Sequence, residues 1–333
     1  MSNRSIIAAK AAKKDEFYTQ YSDIEREINA YLKHSPNTFR NKTVLCPCDD
    51  YKRSNFTRYF KDNFHKLGLK RLISTCISQE SQNGMFFSPT KLHGQYFNMT
   101  TDTINTGTLA GTGDFRSQEL RWLRNEANII VTNPPFSLFR EFITWLINGN
   151  KKFLVLGNMN AITYKKIFLL IKENKMWLGT SAPNVFEMPD SYLLIGNAFK
   201  NEEKQYAKLC NITWFTNLEH GQRHQPLTLM TMEENKRLNR HKKIREYGYV
   251  HYDNYNAIDI PYTDAIPSDY NGIMGVPVSF MCKYCPEQFE IIGATESEGK
   301  GLSNGVWDAS SKEDHPLRNG TSVYKRIFIR RRQ

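Results

Sequence analysis

One short turn, Asn133-Pro134-Pro135-Phe136, carries residues whose types could act chemically on an amino group. The side-chain carbonyl of Asn133 and the backbone carbonyl of Pro134 can each accept a hydrogen bond from an amine hydrogen. Two such acceptors draw a conjugated amine toward tetrahedral geometry and free its lone pair to attack a methyl group. Consecutive prolines fix the backbone and remove two N–H donors, so the turn is stiff and presents acceptors. The residue types are therefore suited to chemistry at an amino nitrogen, such as methyl transfer to the 6-amino group of adenine.

Phe136 adds a flat ring on which a base rotated out of a duplex can stack, an interaction worth roughly 1–3 kcal/mol. Four residues recur by chance, and the same tetrapeptide could be only a turn that ends a buried strand. Its surroundings favour the catalytic interpretation. A strand is predicted at 129–132, Ser137 is predicted to cap a helix, and residues 138–147 place a wide apolar stripe on that helix.

The elements around this turn alternate between strand and helix. Helices are predicted at 22–33, from about 54, at 116–125 and at 160–173, and strands at 43–46, 69–77, 129–132, 153–156, 176–178 and 213–217. The polar segment 79–113 is predicted to be a loop. The alternation predicts an α/β fold with a doubly wound, largely parallel sheet. Ligands of such sheets bind at the carboxyl ends of strands, so the turns at 46–50 and 133–136 are expected to share one cleft.

The charge of the chain favours a polyanionic partner. Its net charge is +11 and its pI about 9.2, and each basic side chain near a phosphate releases a counterion. The basic segment 219–245 is followed by tyrosines, which suits contact with a nucleic-acid backbone and base stacking. The alternative is a charged surface helix at 233–246. The residues predicted to bind DNA are Arg223, His224, Lys236, Arg237, Arg240, Lys242 and Lys243.

Three regions are predicted: a basic flexible arm at 1–14, a core at 15–215, and a basic target-recognition region with closing strands at 216–333. Six cysteines show no disulfide framework, and Cys282-x-x-Cys285 lacks a second ligand pair, so no metal site is predicted. The beginning of the chain has no long apolar stretch, and no segment reaches the roughly 18 apolar residues of a membrane helix. We therefore expect a cytoplasmic protein with no membrane partner.

The turn at 133 matches the catalytic motif of amino-group DNA methyltransferases, in which Asp, Asn or Ser precedes Pro-Pro and an aromatic residue. Other segments resemble the EcoRI-type DNA adenine methyltransferases and follow in the same order over most of the chain. They are KDEFYTQY at 14–21, CDDYKRSNF at 48–56, LGLKRLI at 67–73, VTNPPFSLFREFI at 131–143, ITYKKIF at 162–168, IKENKMWLG at 171–179 and DYNGIMGVPVSF at 269–280. The resemblance implies a Rossmann-like methyltransferase core with a carboxyl-terminal DNA-recognition extension.

The resemblance also implies roles for single residues. The segment with Phe17, Tyr18 and Thr19 resembles the one that lies against the methionine part of S-adenosylmethionine. The turn at 46–50 stands where the cofactor loop of the family begins. It lacks the glycines of the family pattern and has Asp49 and Asp50 instead. The resemblance implies that an acid at this place binds the amino group of the methionine. Further residues complete the implied cofactor site: Asp114 and Phe115 look like the pair that flanks the cofactor adenine, and Gln79-Glu80 is the nearest candidate for the ribose hydroxyls.

In function, the resemblance implies a monomeric enzyme that methylates the 6-amino group of a flipped adenine in double-stranded DNA, with a possible cognate restriction endonuclease. Two alternatives stay open. The same turn serves methylation of other amino nitrogens, in RNA or in protein glutamine. A catalytically silent nucleic-acid-binding module is the second alternative, although the intact residues of the turn argue against it.

Overall fold

The computed structural model describes residues 17–77, 93–188, 198–201, 204–296 and 301–332. The predicted arm at 1–14 and the pair Gln79-Glu80 lie outside these ranges. The helices are α1 (Tyr21–His34), α2 (Asn55–Asp62), α3 (Phe64–Leu67), α4 (Gln118–Glu126), α5 (Phe139–Asn148), α6 (Lys165–Lys172), α7 (Met232–Leu238) and α8 (Lys242–Tyr247). The strands are β1 (Tyr18–Thr19), β2 (Thr43–Cys46), β3 (Arg71–Cys76), β4 (Gln95–Met99), β5 (Ile104–Thr108), β6 (Ile129–Thr132), β7 (Lys152–Asn158), β8 (Trp177–Leu178), β9 (Val185–Met188), β10 (Ala198–Asn201), β11 (Lys204–Lys208), β12 (Ile212–Thr216), β13 (Val250–His251), β14 (Ile258–Asp259), β15 (Met274–Pro277), β16 (Phe289–Ala294), β17 (Leu317–Arg318), β18 (Thr321–Ser322) and β19 (Arg326–Arg331).

The described residues form two compact units. The first takes its residues from Met1–Asn158 and Trp177–His220, and the second from Met159–Met176 and Gly221–Gln333. The predicted boundary near 215 is close to the boundary after His220 in the structure. The two divisions differ at residues 159–176, which were predicted to belong to the core and lie in the second unit. That segment belongs to the second unit because α6 packs against β16 there, and Lys172 Nζ donates a hydrogen bond to the carbonyl of Ile292 at 2.7 Å.

An eight-stranded sheet in the order β5-β4-β3-β2-β6-β7-β12-β8 is the frame of the first unit. The central strands β3, β2, β6 and β7 pair in parallel, whereas every pairing outside them is antiparallel. The prediction of a largely parallel sheet is therefore right for the centre and wrong for both edges, and the sheet is mixed. Since β2 and β6 are buried along their whole length, their apolar sequences are those of strands covered on both faces.

The prediction of a loop at 79–113 is wrong for the described part of that segment. There β4 and β5 form an antiparallel hairpin at one edge of the sheet. Phe97 and Met99 on β4 are buried, whereas the residues of β5 are exposed or half-buried. Threonines and an asparagine dominate β5 because its side chains meet solvent. Such a composition is easily mistaken for that of a loop.

Helices of the first unit bury the faces that the sequence predicts. Ile24 and Ile28 on α1 have no exposed surface, and Trp214 of β12 packs edge-on against Phe56 with ring centroids 5.9 Å apart. Ser54 caps the amino end of α2, because its side chain accepts a hydrogen bond from the backbone N–H of Phe56. The predicted apolar face of α2 and α3 is confirmed as buried and consists of Phe56, Tyr59, Phe60, Phe64 and Leu67.

Two helix boundaries differ from the predicted ones. Ser137 does not cap a helix, because the backbone N–H of Leu138 bonds to the carbonyl of Pro135 and closes a 3-10 turn at Phe136–Leu138 before α5 begins. The predicted helix at 233–246 is two helices, α7 and α8. The buried Asn239 separates them, since its side-chain amide donates to Asn235 Oδ1 and to the carbonyl of Asp264.

Smaller sheets complete both units. In the first unit, β1-β9-β11-β10 form an antiparallel sheet that sets Tyr18 opposite Glu187. In the second, β13-β14-β15-β19-β16 form a five-stranded sheet with a core that includes Tyr255 stacked on Phe328. None of the helices that the structure describes is long and apolar enough to cross a membrane.

A buried carboxylate joins α1 to the chain that follows β8. Glu27 accepts hydrogen bonds from the backbone N–H of Thr180 at 2.8 Å and from the hydroxyls of Thr180 and Ser181 at 2.9 and 2.7 Å. Burial raises the pKa of this carboxyl group. Gly179 leaves room for the carboxylate, because a Cβ atom there would lie 2.2 Å from Glu27 Oε1 and 2.6 Å from Trp214 Cβ.

We expect Gly179→Ala to lower the free energy of unfolding by about 1–3 kcal/mol, the usual cost of overpacking a well-filled site. The added methyl group must displace either the Glu27 carboxylate or the side chain of Trp214 at its Cβ atom. Thermal or urea unfolding measures the loss. Gly111→Ala is the matched control, because the nearest atom to its added Cβ is 3.5 Å away. Equal stability of the two variants would contradict the packing argument.

Candidate active site

A cavity of about 540 Å³ lies in the first unit at the carboxyl ends of β2, β3 and β6. The turn after β2 and the turn after β6 both line this cavity. They meet there because the carboxyl ends of parallel strands lie at the same edge of a sheet. β1 closes another side. The predicted site residues that line the cavity are Phe17, Tyr18, Thr19, Asp49, Asp50, Asp114, Phe115, Asn133 and Pro135.

Asn133 has a fixed side-chain orientation. Its amide nitrogen donates a hydrogen bond of 2.7 Å to the backbone carbonyl of Phe17, 116 residues away in the sequence. Its Oδ1 atom is buried and accepts no hydrogen bond from any residue that the structure describes. A buried acceptor without a donor costs about 1–3 kcal/mol. A ligand with an N–H donor is therefore expected to bind favourably at Asn133 Oδ1.

Asp49 is the buried acid of the cavity, with 6% of its surface exposed. Its carboxylate accepts hydrogen bonds of 2.6 Å from the hydroxyls of Ser54 and Thr132. Burial raises the pKa of Asp49 to about 6, and these two hydrogen bonds oppose the rise. Because a carboxylate has about four lone-pair sites, it can still accept hydrogen bonds from a ligand cation.

Asp114 and Phe115 follow a glycine that no other residue can replace without strain. Gly113 has φ +84°, and a Cβ atom there would lie 2.4 Å from the carbonyl oxygen of Cys76. Asp114 accepts hydrogen bonds from Arg116, which lower the pKa of the carboxyl group against the opposing effect of burial. Phe115 packs edge-on against Phe142 with ring centroids 5.0 Å apart.

Two residues of the predicted catalytic turn do not line the cavity. Pro134 is buried, and Phe136 is half-buried against the main core of the unit. Sequence reasoning missed Thr132 and Ser54 as the donors that hold Asp49. Thr132 had a signal, since a hydroxyl residue ends an otherwise apolar strand directly before Asn133. Other lining residues that were not predicted are Pro47, Cys48, Asn55, Phe56, Cys76, Ile77, Gly113, Ser137 and Leu138.

The residues predicted to bind DNA lie in the second unit, in two different environments. Exposed positions on α7, on α8 and between them hold Lys236, Arg237, Arg240, Lys242 and Lys243. Arg240 pairs with Asp264 at 2.7 Å, and Lys242 pairs with Glu246 at 3.3 Å. Arg223 is buried and donates to Asn174, and His224 pairs with Glu287.

Mixed α/β architecture with a ligand cavity at the carboxyl ends of parallel strands defines a broad class of enzymes that bind small molecules at this position. Within it, the model of the family described as adenine-specific methyltransferase EcoRI matches residues 5–332. The chain belongs to this family. It is an adenine-specific DNA methyltransferase with S-adenosylmethionine as the methyl donor.

Sequence similarity to individual known proteins supports this membership of the family. The chain is 42% identical over 304 residues to Type II methyltransferase M.EcoRI of Escherichia coli, covering 87% of this chain and 89% of the relative. It is 36% identical to Type II methyltransferase M.MpnI of Mycoplasma pneumoniae, covering 98% and 97% of the two chains. No solved structure matches the chain significantly.

The raised pKa of Asp49 predicts how stability depends on pH without ligand. Between pH about 4 and 6 the folded protein binds more protons at Asp49 than the unfolded chain does, so the free energy of unfolding falls as pH rises through this window. Each pKa unit corresponds to about 1.4 kcal/mol. We expect Asp49→Asn to gain up to about 3 kcal/mol relative to the wild type between pH 4 and 7.

Urea unfolding at pH 4, 5, 6 and 7 measures this difference. Asp50→Asn, on the same turn but only half-buried, is the matched control. Parallel pH profiles of Asp49→Asn and the wild type would show that Asp49 is not the group responsible.

Proposed function

We propose that the enzyme methylates the 6-amino group of an adenine rotated out of duplex DNA, and that Asn133 and Pro134 hold that amino group. The observation that carries the assignment is the buried Oδ1 of Asn133, which lacks a donor among the described residues. An exocyclic amine supplies the missing N–H. The backbone carbonyl of Pro134 is the second acceptor, and the half-exposed ring of Phe136 is the face on which the base stacks.

The residues of the cavity fit S-adenosylmethionine, a cation with an ammonium, a carboxylate and an adenosine. In our proposal Asp49, with Asp50 beside it, binds the ammonium, and the segment from Phe17 to Thr19 lies along the methionine. Thr19 Oγ1 supports this, because it too is buried without a hydrogen-bond partner in the described part of the chain. Asp114 and Phe115 flank the adenine of the cofactor. When bound, the cofactor supplies an electrophilic methyl group on a sulfonium.

The protein contributes orientation and hydrogen-bond acceptors. The bond from Asn133 to Phe17 turns the amide so that its oxygen, and not its nitrogen, is available to the substrate. Two acceptors on the amine hydrogens increase the density of the nitrogen lone pair. Methyl transfer would leave the nitrogen as an acidic ammonium, which loses one proton to solvent water, so no strong general base is needed. Alignment of the amine with the methyl group then provides most of the rate.

Asn133→Ala should lower the rate of methyl transfer by roughly 10²–10³, as expected for the loss of one preorganised hydrogen-bonding group. Binding of duplex DNA should be retained. Labelled S-adenosylmethionine with duplex DNA measures transfer, and a mobility shift measures binding. Asn148→Ala, at an exposed position on α5, is the control. Full activity of the Asn133 variant would remove this residue from the mechanism, and label on RNA or protein but not on DNA would refute the substrate assignment.

We further propose that residues 15–215 are a doubly wound methyltransferase core of the Rossmann-like type and that residues 216–333 are a target-recognition extension. Exposed basic residues on α7 and α8 support a DNA interface there. Arg223 has a structural role in this proposal, because its guanidinium is buried and contacts Asn174. We expect the enzyme in the cytoplasm, and the family resemblance implies that it is active as a monomer. A restriction endonuclease for the same sequence would act without forming a stable complex with it.

The double variant Lys236→Ala/Lys243→Ala should weaken binding of all duplexes alike. It should reduce the slope of log K against log salt by about 0.9 for each phosphate that the variant no longer neutralises. Fluorescence anisotropy at several salt concentrations measures the slope. Arg223→Ala should instead lower the melting temperature and leave the slope unchanged. An unchanged slope in the lysine variant would place the DNA interface elsewhere.

A further inference from the structure

A second cavity, of about 720 Å³, lies in the same unit as the candidate active site. The turn after β2 and one face of α2 form part of its lining, and residues from β1, β4, β5, β9 and β11 form the rest. Tyr18, Ser54 and Asn55 line both cavities. Asn55 strengthens this shared wall, because its side chain donates a hydrogen bond of 2.8 Å to the carbonyl of Thr19 on β1.

The second cavity is positively charged. Its described lining contains five basic and two acidic side chains, which leaves three net positive charges. Both acids are already paired, Asp62 with Arg58 at 3.7 Å and Glu187 with Lys204 at 2.9 Å. Lys52 and Lys61 are exposed and have no carboxylate partner among the described residues. An anionic ligand would therefore find uncompensated charge there.

An aromatic pair stands beside these charges. The rings of Tyr51 and Phe97 stack with centroids 5.7 Å apart and planes inclined by 24°. The ammonium of Lys52 lies 5.6 Å from the centroid of the Tyr51 ring. Lysines next to stacked rings are typical of surfaces that follow a nucleic-acid strand, where the lysines meet phosphates and the rings contact sugars or bases.

We propose that this second cavity binds the backbone phosphates of the target DNA strand on either side of the flipped adenine. The inference rests on the proposed function. A nucleotide that leaves the duplex takes its two flanking phosphates toward the enzyme. Charges that neutralise them must therefore lie on the unit that holds the base. The second cavity meets this requirement, because it lies in the same unit as the candidate active site and shares with it the lining residues Tyr18, Ser54 and Asn55.

Charge reversal tests the proposal. Lys52→Glu/Lys61→Glu is compared with Lys66→Glu/Lys70→Glu, which makes the same change in charge at two exposed lysines outside the cavity. We expect the cavity variant to bind duplex DNA at least about tenfold more weakly than the control variant at low salt. Its slope of log K against log salt should be smaller by about 2, at about 0.9 per phosphate. Calorimetry should give both variants the same affinity for S-adenosylmethionine, which verifies folding and the neighbouring cavity.

Uncharged methylphosphonate linkages locate the phosphate site, once sequencing of methylated plasmid DNA has identified the target adenine. Neutral linkages beside that adenine should weaken wild-type binding, whereas they should not weaken binding by the cavity variant. Linkages several base pairs away should weaken both proteins equally. The milder pair Lys52→Gln/Lys61→Gln should show the same pattern with a smaller loss, and it replaces the charge-reversed pair if that one fails to bind S-adenosylmethionine.

The outcomes separate the two proposals. If the wild type methylates duplex DNA and the cavity and control variants bind it equally, the second cavity is not a phosphate site and only this inference fails. Additive effects of the variant and the flanking linkages would also overturn it. If the wild type transfers label to no DNA at all, the proposed function fails first.

Discussion

The candidate active site depends on the hydrogen bonds that the buried carboxylate of Asp49 accepts. These bonds come from Ser54 at the start of α2 and from Thr132 at the end of β6. One side chain thus joins the carboxyl ends of two parallel strands and the first turn of a helix. Asn133 directly follows Thr132, so the same contact fixes the start of the proposed catalytic turn. An acid kept at this depth is costly, which explains its raised pKa and its readiness to bind a cation.

A second contact completes the arrangement from a distant part of the chain. Phe17 contributes its backbone carbonyl, which holds the amide of Asn133 at 2.7 Å. Without that acceptor the amide could turn and present its nitrogen to the substrate amine, and two donors would then face each other. The position of β1 is fixed in turn by its pairing with β9 and by the bond from Asn55 to Thr19. Orientation of one amide therefore depends on elements from three regions of the sequence.

Local patterns predicted much of this molecule. The central strands, the faces of α1 and α2, and the convergence of the two turns could be predicted because apolar periodicity reports burial and because parallel strands end at one edge. Long-range contacts could not be predicted in this way. Nothing in the sequence near Asn133 indicates Phe17, and nothing near Glu27 indicates Thr180. The β4–β5 hairpin was missed because an edge strand with one face in solvent has no continuous apolar run. Ser137 was misassigned because the 3-10 turn depends on the geometry of Pro135.

The two cavities share a wall but differ in charge, and this difference explains how two ligands of opposite charge, the cofactor and DNA, would be kept apart. S-adenosylmethionine is cationic at its sulfonium and its ammonium, and the cavity proposed for it contains a buried acid. DNA is anionic, and the second cavity carries the excess of lysines. A wall of Tyr18, Ser54 and Asn55 separates them, and Ser54 contacts the acid directly. In our assignment each ligand would be repelled from the site of the other.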